Sequence, residues 1–250
     1  MDPEGPPGDT GAEPPPAAEA PPAPPPGPGY LSLAAWIVFF FANVAIAYAP
    51  FLPLLRGEPA PALEPGLLDD PRMVAAAIVG SWLTLLIAAV LVWRARLTRA
   101  DVGWVSLPAG RLLKWTALTV AGLVGTWAAV SLLLGDRLEI VEALTRRPQG
   151  PAGWALWWGL AATSGISEES VMRGYGIGLL ARLGANRWAA AVGVAVLFGS
   201  LHVYQGIHAV PMMALWGFVF AVPFLRTGSL LPGTLAHAVV NGLAPLVLPK

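Results

Sequence analysis

"ISEESVMRG", Ile166–Gly174, decides how the chain folds. It sets two adjacent glutamates and an arginine inside an apolar run from Trp154 to about Leu183. In a soluble helix such charges would mark the wet face. Here the rest of the chain argues otherwise. Only 12 % of the 250 residues are charged and 56 % are hydrophobic, whereas soluble domains carry about 25 % charged residues. Mean hydropathy is +0.63. The reading is a polytopic membrane protein, with Glu168, Glu169 and Arg173 at membrane depth. Formal net charge is zero, so there is no electrostatic case for a nucleic-acid partner. The absence of cysteine removes disulfides, thiolate nucleophiles and cysteine metal sites. Histidine chemistry is confined to His202, His208 and His237.

Working outward, residues 1–29 hold 12 of the 26 prolines and five acids, with no Lys or Arg. Such a segment cannot bury a core, and a disordered, Pro-rich tail is expected. It lacks the basic start and early apolar stretch of a signal peptide. Then come apolar runs near the roughly 20 residues that cross a bilayer. These are Leu31–Leu54, Met73–Trp93, Trp115–Gly135, Trp154–Leu183, Trp188–Tyr204, Ile207–Leu225 and Ser229–Leu248. The expected fold is therefore an all-α transmembrane bundle of about seven helices. Residues 30–153 would supply membrane helices and an interfacial segment (Leu97–Trp115), and residues 154–250 the catalytic helices. Arg94, Arg96, Arg99, Arg111 and Lys114 lie between the second and third runs. The positive-inside rule makes that loop cytoplasmic, and alternation makes the N-terminus cytoplasmic. Arg137, Arg146 and Arg147 would then lie outside, against the rule. An integral, multi-pass protein of the plasma membrane is expected, with the lipid bilayer as its surroundings.

Each intramembrane charge costs roughly 2.5–3.5 kcal/mol on insertion scales. Glu169 and Arg173 are four apart, so they share a helix face and can pair. Glu168 points about 100° away and is left to face a cavity. A turn is expected at "GANR", Gly184–Arg187. Glu168 and His202 lie at similar distances before and after it, hence at similar depth. A second turn at "RTGS", Arg226–Ser229, is followed by His237 and Asn241, again four apart on one face. By this count they lie somewhat shallower. A glutamate and a histidine sharing a proton suit general-base activation of water. An amide and a second imidazole can donate to an oxyanion. The set reads as a hydrolase, and peptide bonds are its natural target in a membrane.

Three motifs carry a family resemblance. They are "EESVMR" (Glu168–Arg173), "FGSLH" (Phe198–His202) and "HAVVN" (His237–Asn241). In this order they match EExxxR, FxxxH and HxxxN, and the region from Trp154 to Leu248 resembles the CPBP intramembrane proteases. These include type II CAAX prenyl endopeptidases and bacteriocin-processing or immunity proteins. The resemblance implies a glutamate-dependent endopeptidase with a membrane-anchored or prenylated protein or peptide as substrate. It implies Glu168 as the acid/base, His202 as its partner, and His237 and Asn241 as oxyanion donors, with Glu169 and Arg173 in support. No cofactor is expected. Met172 departs from the pattern, because many members carry an aromatic before the arginine.

Other readings compete. Glu168, His202 and His237 would make a catalytic zinc set, since two His and one Glu are legitimate ligands. Ser200 could serve as a nucleophile, but it points about 200° from His202 on a helix. Intramembrane Glu and His also mark transporters, although no inverted repeat is visible. A non-catalytic immunity or scaffold protein would keep the fold alone.

Overall fold

The computed structural model describes residues 30–38, 70–134, 148–205, 207 and 209–247. Residues 30–38 are helical. Helix α1 spans Pro71–Arg94. Asp70 caps it by accepting from the Arg72 amide at 2.8 Å, and Pro71 occupies the first turn, where no amide proton is needed. Helix α2 spans Ala109–Leu134. Helix α3, Gly150–Glu169, runs without a break into a π-helix, Ser170–Ile177, and then α4, Gly178–Arg182. The rod stops where Gly184 takes a φ of 93°, a conformation only glycine adopts freely. Asn186 caps α5, Arg187–Leu201, by accepting from the amides of Trp188 and Ala189. A 3-10 turn, Val203–Gln205, leads to α6, Ala209–Thr227, and α7, Leu231–Val247.

Among the described residues all regular structure is helical. The helices follow six of the seven expected apolar runs within a few residues. Of the first run, residues 31–38 are helical and the rest lies outside the described residues. The expected disordered tail, Arg137, Arg146, Arg147 and His208 also lie outside them. The seven-span expectation is met in part. By length and composition, three described helices can cross a membrane: α1, α2 and α6. Helix α5 is apolar but has only 15 residues. Helices α3 and α7 spend part of their surface on polar groups that face the bundle interior, including Thr163, Ser167 and Glu169 on one and Thr234 and His237 on the other.

Helix α3 packs between α1 and α7, α2 lies against α6 and α7, and α5 pairs with α6. Small residues permit the closest approaches. A Cβ on Gly199 would stand 2.5 Å from the Val210 carbonyl, and one on Gly165 3.0 Å from that of Thr234. Tyr175, Ile177, Val194, Phe198, Met212 and Phe224 form the centre of the core. Outward faces of α1 and α2 keep Leu83, Leu86, Val124 and Leu132 exposed, as lipid contact requires.

Residues 95–108, expected to be interfacial, form a folded strap. Thr98 and Asp101 bond reciprocally: Asp101 accepts from the Thr98 amide and hydroxyl, and Thr98 Oγ1 accepts from the Asp101 amide. The strap then ties two turns together. The Leu230 amide donates to the Gly103 carbonyl at 2.8 Å, and Ser229 Oγ donates to that of Val105 at 2.7 Å. Its other side lies on the rod. A Cβ at Gly174 would be 2.8 Å from the Val102 carbonyl, and one at Gly178 2.7 Å from that of Asp101.

Candidate active site

The strap fixes the depth of the site. Counting from Gly184 places His237 shallower than Glu168. In the structure Leu230, at the start of α7, packs at Gly174 rather than at Gly184. Seven residues of α7 then bring His237 level with Glu169, five residues back from Gly174. The register comes from the strap.

At that level lies a chain of charges. Arg173 and Glu169 are both fully buried. Arg173 Nη1 donates to Glu169 Oε1 at 3.0 Å, so the i, i+4 pairing expected of them is present. Arg173 Nη2 donates to the Gly217 carbonyl at 2.8 Å. The guanidinium also sits 4.5 Å from the ring centre of Phe198 and 5.2 Å from that of Phe220. A buried charge needs such compensation, because desolvation costs several kcal/mol per ion. Glu169 Oε1 lies 3.0 Å from His237 Nδ1. Gly233 leaves room for the carboxylate, since a Cβ there would be 3.4 Å from Oε2. The His237 ring stacks on Phe220 with centroids 4.6 Å apart.

This chain orients His237. With Glu169 ionised, Nδ1 carries the proton that the carboxylate accepts, and Nε2 faces away. It faces Glu168, whose Oε2 lies 3.8 Å from it. Glu168 differs from its neighbour in environment. Its side chain keeps 34 % of its exposure against 1 % for Glu169. Adjacent positions on one helix thus give one carboxylate locked into a buried ion pair and one that is half-buried, with Oε2 lacking a hydrogen-bond partner among the described residues.

His202 closes α5. Its Nδ1 lies 2.7 Å from the Phe198 carbonyl. A carbonyl only accepts, so Nδ1 bears the proton and Nε2 is the basic nitrogen of the neutral ring. The ring packs on Phe198 at 4.4 Å. Glu168, His237 and Arg173 all lie close enough to act electrostatically on it. Asn241 sits one turn beyond His237 and turns toward α3, where Nδ2 donates to Ser164 Oγ at 3.4 Å. Its backbone carbonyl accepts from Trp157 Nε1 at 3.0 Å. Ser200 Oγ donates to the Val196 carbonyl of its own helix at 3.0 Å, so the hydroxyl is not turned to a histidine.

Four of the residues singled out in the sequence are thus linked in a chain, Arg173 to Glu169, Glu169 to His237 and His237 to Glu168, at 3.0, 3.0 and 3.8 Å. His202 lies beside them and Asn241 at the edge. The sequence reading missed the Glu169–His237 bond, the Gly217 carbonyl and the Phe220 face. Glycines at 165, 217 and 233 were its only trace in the sequence. Among the described residues no group of three His, Cys, Asp or Glu side chains is placed to hold a metal ion.

Residues 150–243 match a protein family, the type II CAAX prenyl endopeptidase Rce1-like family. The matched stretch contains all three motifs and every residue of the site. Neither a curated protein nor a solved structure gave a match. The family is one of proteases, and with the apolar helices it makes the chain an integral membrane protein.

Proposed function

From a chain whose residues 150–243 carry the Rce1-like endopeptidase region of the CPBP proteases, we propose an intramembrane endopeptidase that activates water with Glu168. The observation that carries the reading is the chain Arg173–Glu169–His237, which aims a histidine nitrogen at the half-buried carboxylate of Glu168, whose Oε2 is 3.8 Å away and has no hydrogen-bond partner among the described residues. Glu168, with His202 as its partner, removes one proton from water. The hydroxide adds to the carbonyl carbon of a peptide bond, and the oxygen becomes an oxyanion. His237 Nε2 and Asn241 Nδ2 donate to that oxygen. For this Nε2 must carry a proton when the oxyanion forms. Collapse of the adduct breaks the C–N bond, and the proton held by Glu168 passes to the leaving amine. The 3.8 Å gap is longer than a hydrogen bond. Catalytic contacts are often long without substrate and tighten when it binds.

The substrate class is a membrane-anchored or prenylated protein or peptide. We place the protein in the plasma membrane with its N-terminus and basic loop on the cytoplasmic side. The test is cleavage by purified full-length protein of a panel of farnesylated and unmodified membrane-anchored peptides, with and without a zinc chelator. Cleavage that survives chelation supports the glutamate mechanism. Loss on chelation, restored by zinc, overturns it in favour of a metal site. A folded protein that cleaves nothing in the panel favours the scaffold or transport reading.

A further inference from the structure

The strap end of the bundle carries a second concentration of charge, unrelated to the site. Arg94 at the end of α1, Arg96 and Arg99 in the strap, and Arg111 and Lys114 in the first turns of α2 are all exposed there. The fold adds Arg182, Arg187 and Arg226 from two other turns, also exposed. Asp101 is the one acid at this end among the described residues, and it is engaged by Arg182 Nη1 at 3.6 Å. At the other end the described charges are Asp70 and Arg72, which balance. Among the described residues the charge is thus gathered at the strap end.

Three of these cations are held in place without a carboxylate. Arg111 Nη2 donates to the Arg226 carbonyl at 3.4 Å, using the negative end of α6. The Arg226 guanidinium lies 5.4 Å from the ring centre of Trp188, and that of Arg187 5.2 Å from that of Phe224. Ring faces orient a guanidinium but do not neutralise it, so its donors stay available for an anion. Trp188 is itself 41 % exposed, in the manner of an indole at the headgroup level. Insertion asymmetry accounts for positive loops, yet it does not require guanidiniums from separate turns to gather on ring faces.

We propose that this end is a docking surface for anionic phospholipid headgroups of the adjacent leaflet, with Arg111, Arg187 and Arg226 at its centre. Guanidinium forks match phosphate geometry and are more weakly hydrated than ammonium groups. A basic cluster beside membrane helices gains affinity from each charge near an anionic surface. The bound headgroups would also brace the strap, which rests on the rod that carries Glu168 and Glu169. The proposal does not depend on the protease reading.

The test uses the full-length protein in mild detergent, titrated with phosphatidylglycerol or phosphatidylcholine, with lipid retention read by native mass spectrometry. Wild type is expected to retain phosphatidylglycerol selectively, and less so at high salt. The triple variant Arg111→Gln, Arg187→Gln, Arg226→Gln is expected to weaken that retention on the order of 10- to 100-fold. Arg72→Gln at the opposite end and Glu168→Gln in the site should leave it unchanged. Equal retention of both lipids by wild type would overturn the proposal, whatever the variants do. So would a triple variant that binds like wild type. Displacement of phosphatidylglycerol by inorganic phosphate at comparable concentration would reassign the cluster to a soluble phosphate ligand. If the triple variant unfolds, Arg111→Gln with Lys114→Gln, both on the exposed face, gives the same comparison.

Discussion

Arginine appears in this molecule under two opposite conditions. Arg173 is out of solvent and engaged by a carboxylate, a carbonyl and two aromatic rings, with only Nε left without a hydrogen-bond partner among the described residues. At the strap end, arginines lie in the open against ring faces and a helix terminus. The contrast shows what burial demands. An interior charge constrains its surroundings, because every missing partner costs desolvation energy. An exposed one leaves its neighbours nearly free, and its charge remains available to something outside the protein.

Substitutions at the two ends of this comparison should differ sharply. Arg173→Ala leaves Glu169 buried without its cation and should lose about 3–5 kcal/mol of stability, read as a fall in the unfolding midpoint in detergent. A loss under 1 kcal/mol would mean that the interior pair is not what organises the centre. Gly199→Ala sets a Cβ 2.5 Å from the Val210 carbonyl and 2.7 Å from the Ala214 amide. Because those neighbours are backbone, about 1–3 kcal/mol is expected, and full stability would show that α5 and α6 can part. Arg182→Gln breaks only a half-exposed pair with Asp101, so its effect on stability should stay within about 1 kcal/mol. Smallest of all, Ser200→Ala should leave cleavage unchanged, since its hydroxyl is bonded within its own helix. A dead variant would revive the serine mechanism.

How much was legible in the sequence follows the same division. Periodicity alone gives the Glu169–Arg173 pair, because i and i+4 share a face whatever surrounds them. Composition alone gives the apolar helices. Counting from turns brings Glu168, His202 and His237 toward one depth, but it errs at α7. The strap holds Leu230 at Gly174, and no local pattern announces where a turn will dock. The π-helix at Ser170–Ile177 is hidden for a similar reason, since its hydrogen-bond register is set by packing across the rod. The bond from Glu169 to His237 joins residues 68 apart. The sequence marks it only through glycines that make room. The span count was least legible, because α5 and α7, at 15 and 17 residues, are shorter than the roughly 20 residues of a span, and α3 buries polar groups in the bundle.

The central claim is that the adjacent glutamates divide the labour, with Glu169 holding the structure and Glu168 performing the chemistry. The direct measurement is cleavage rate and unfolding midpoint for Glu168→Gln and Glu169→Gln beside wild type. Glu168→Gln should cut the rate about 100- to 10,000-fold, the usual loss for a general base, with the midpoint close to wild type. Glu169→Gln leaves Arg173 buried without its anion and should lower the midpoint markedly. A Glu168→Gln protein that folds normally and cleaves at the wild-type rate would contradict the account.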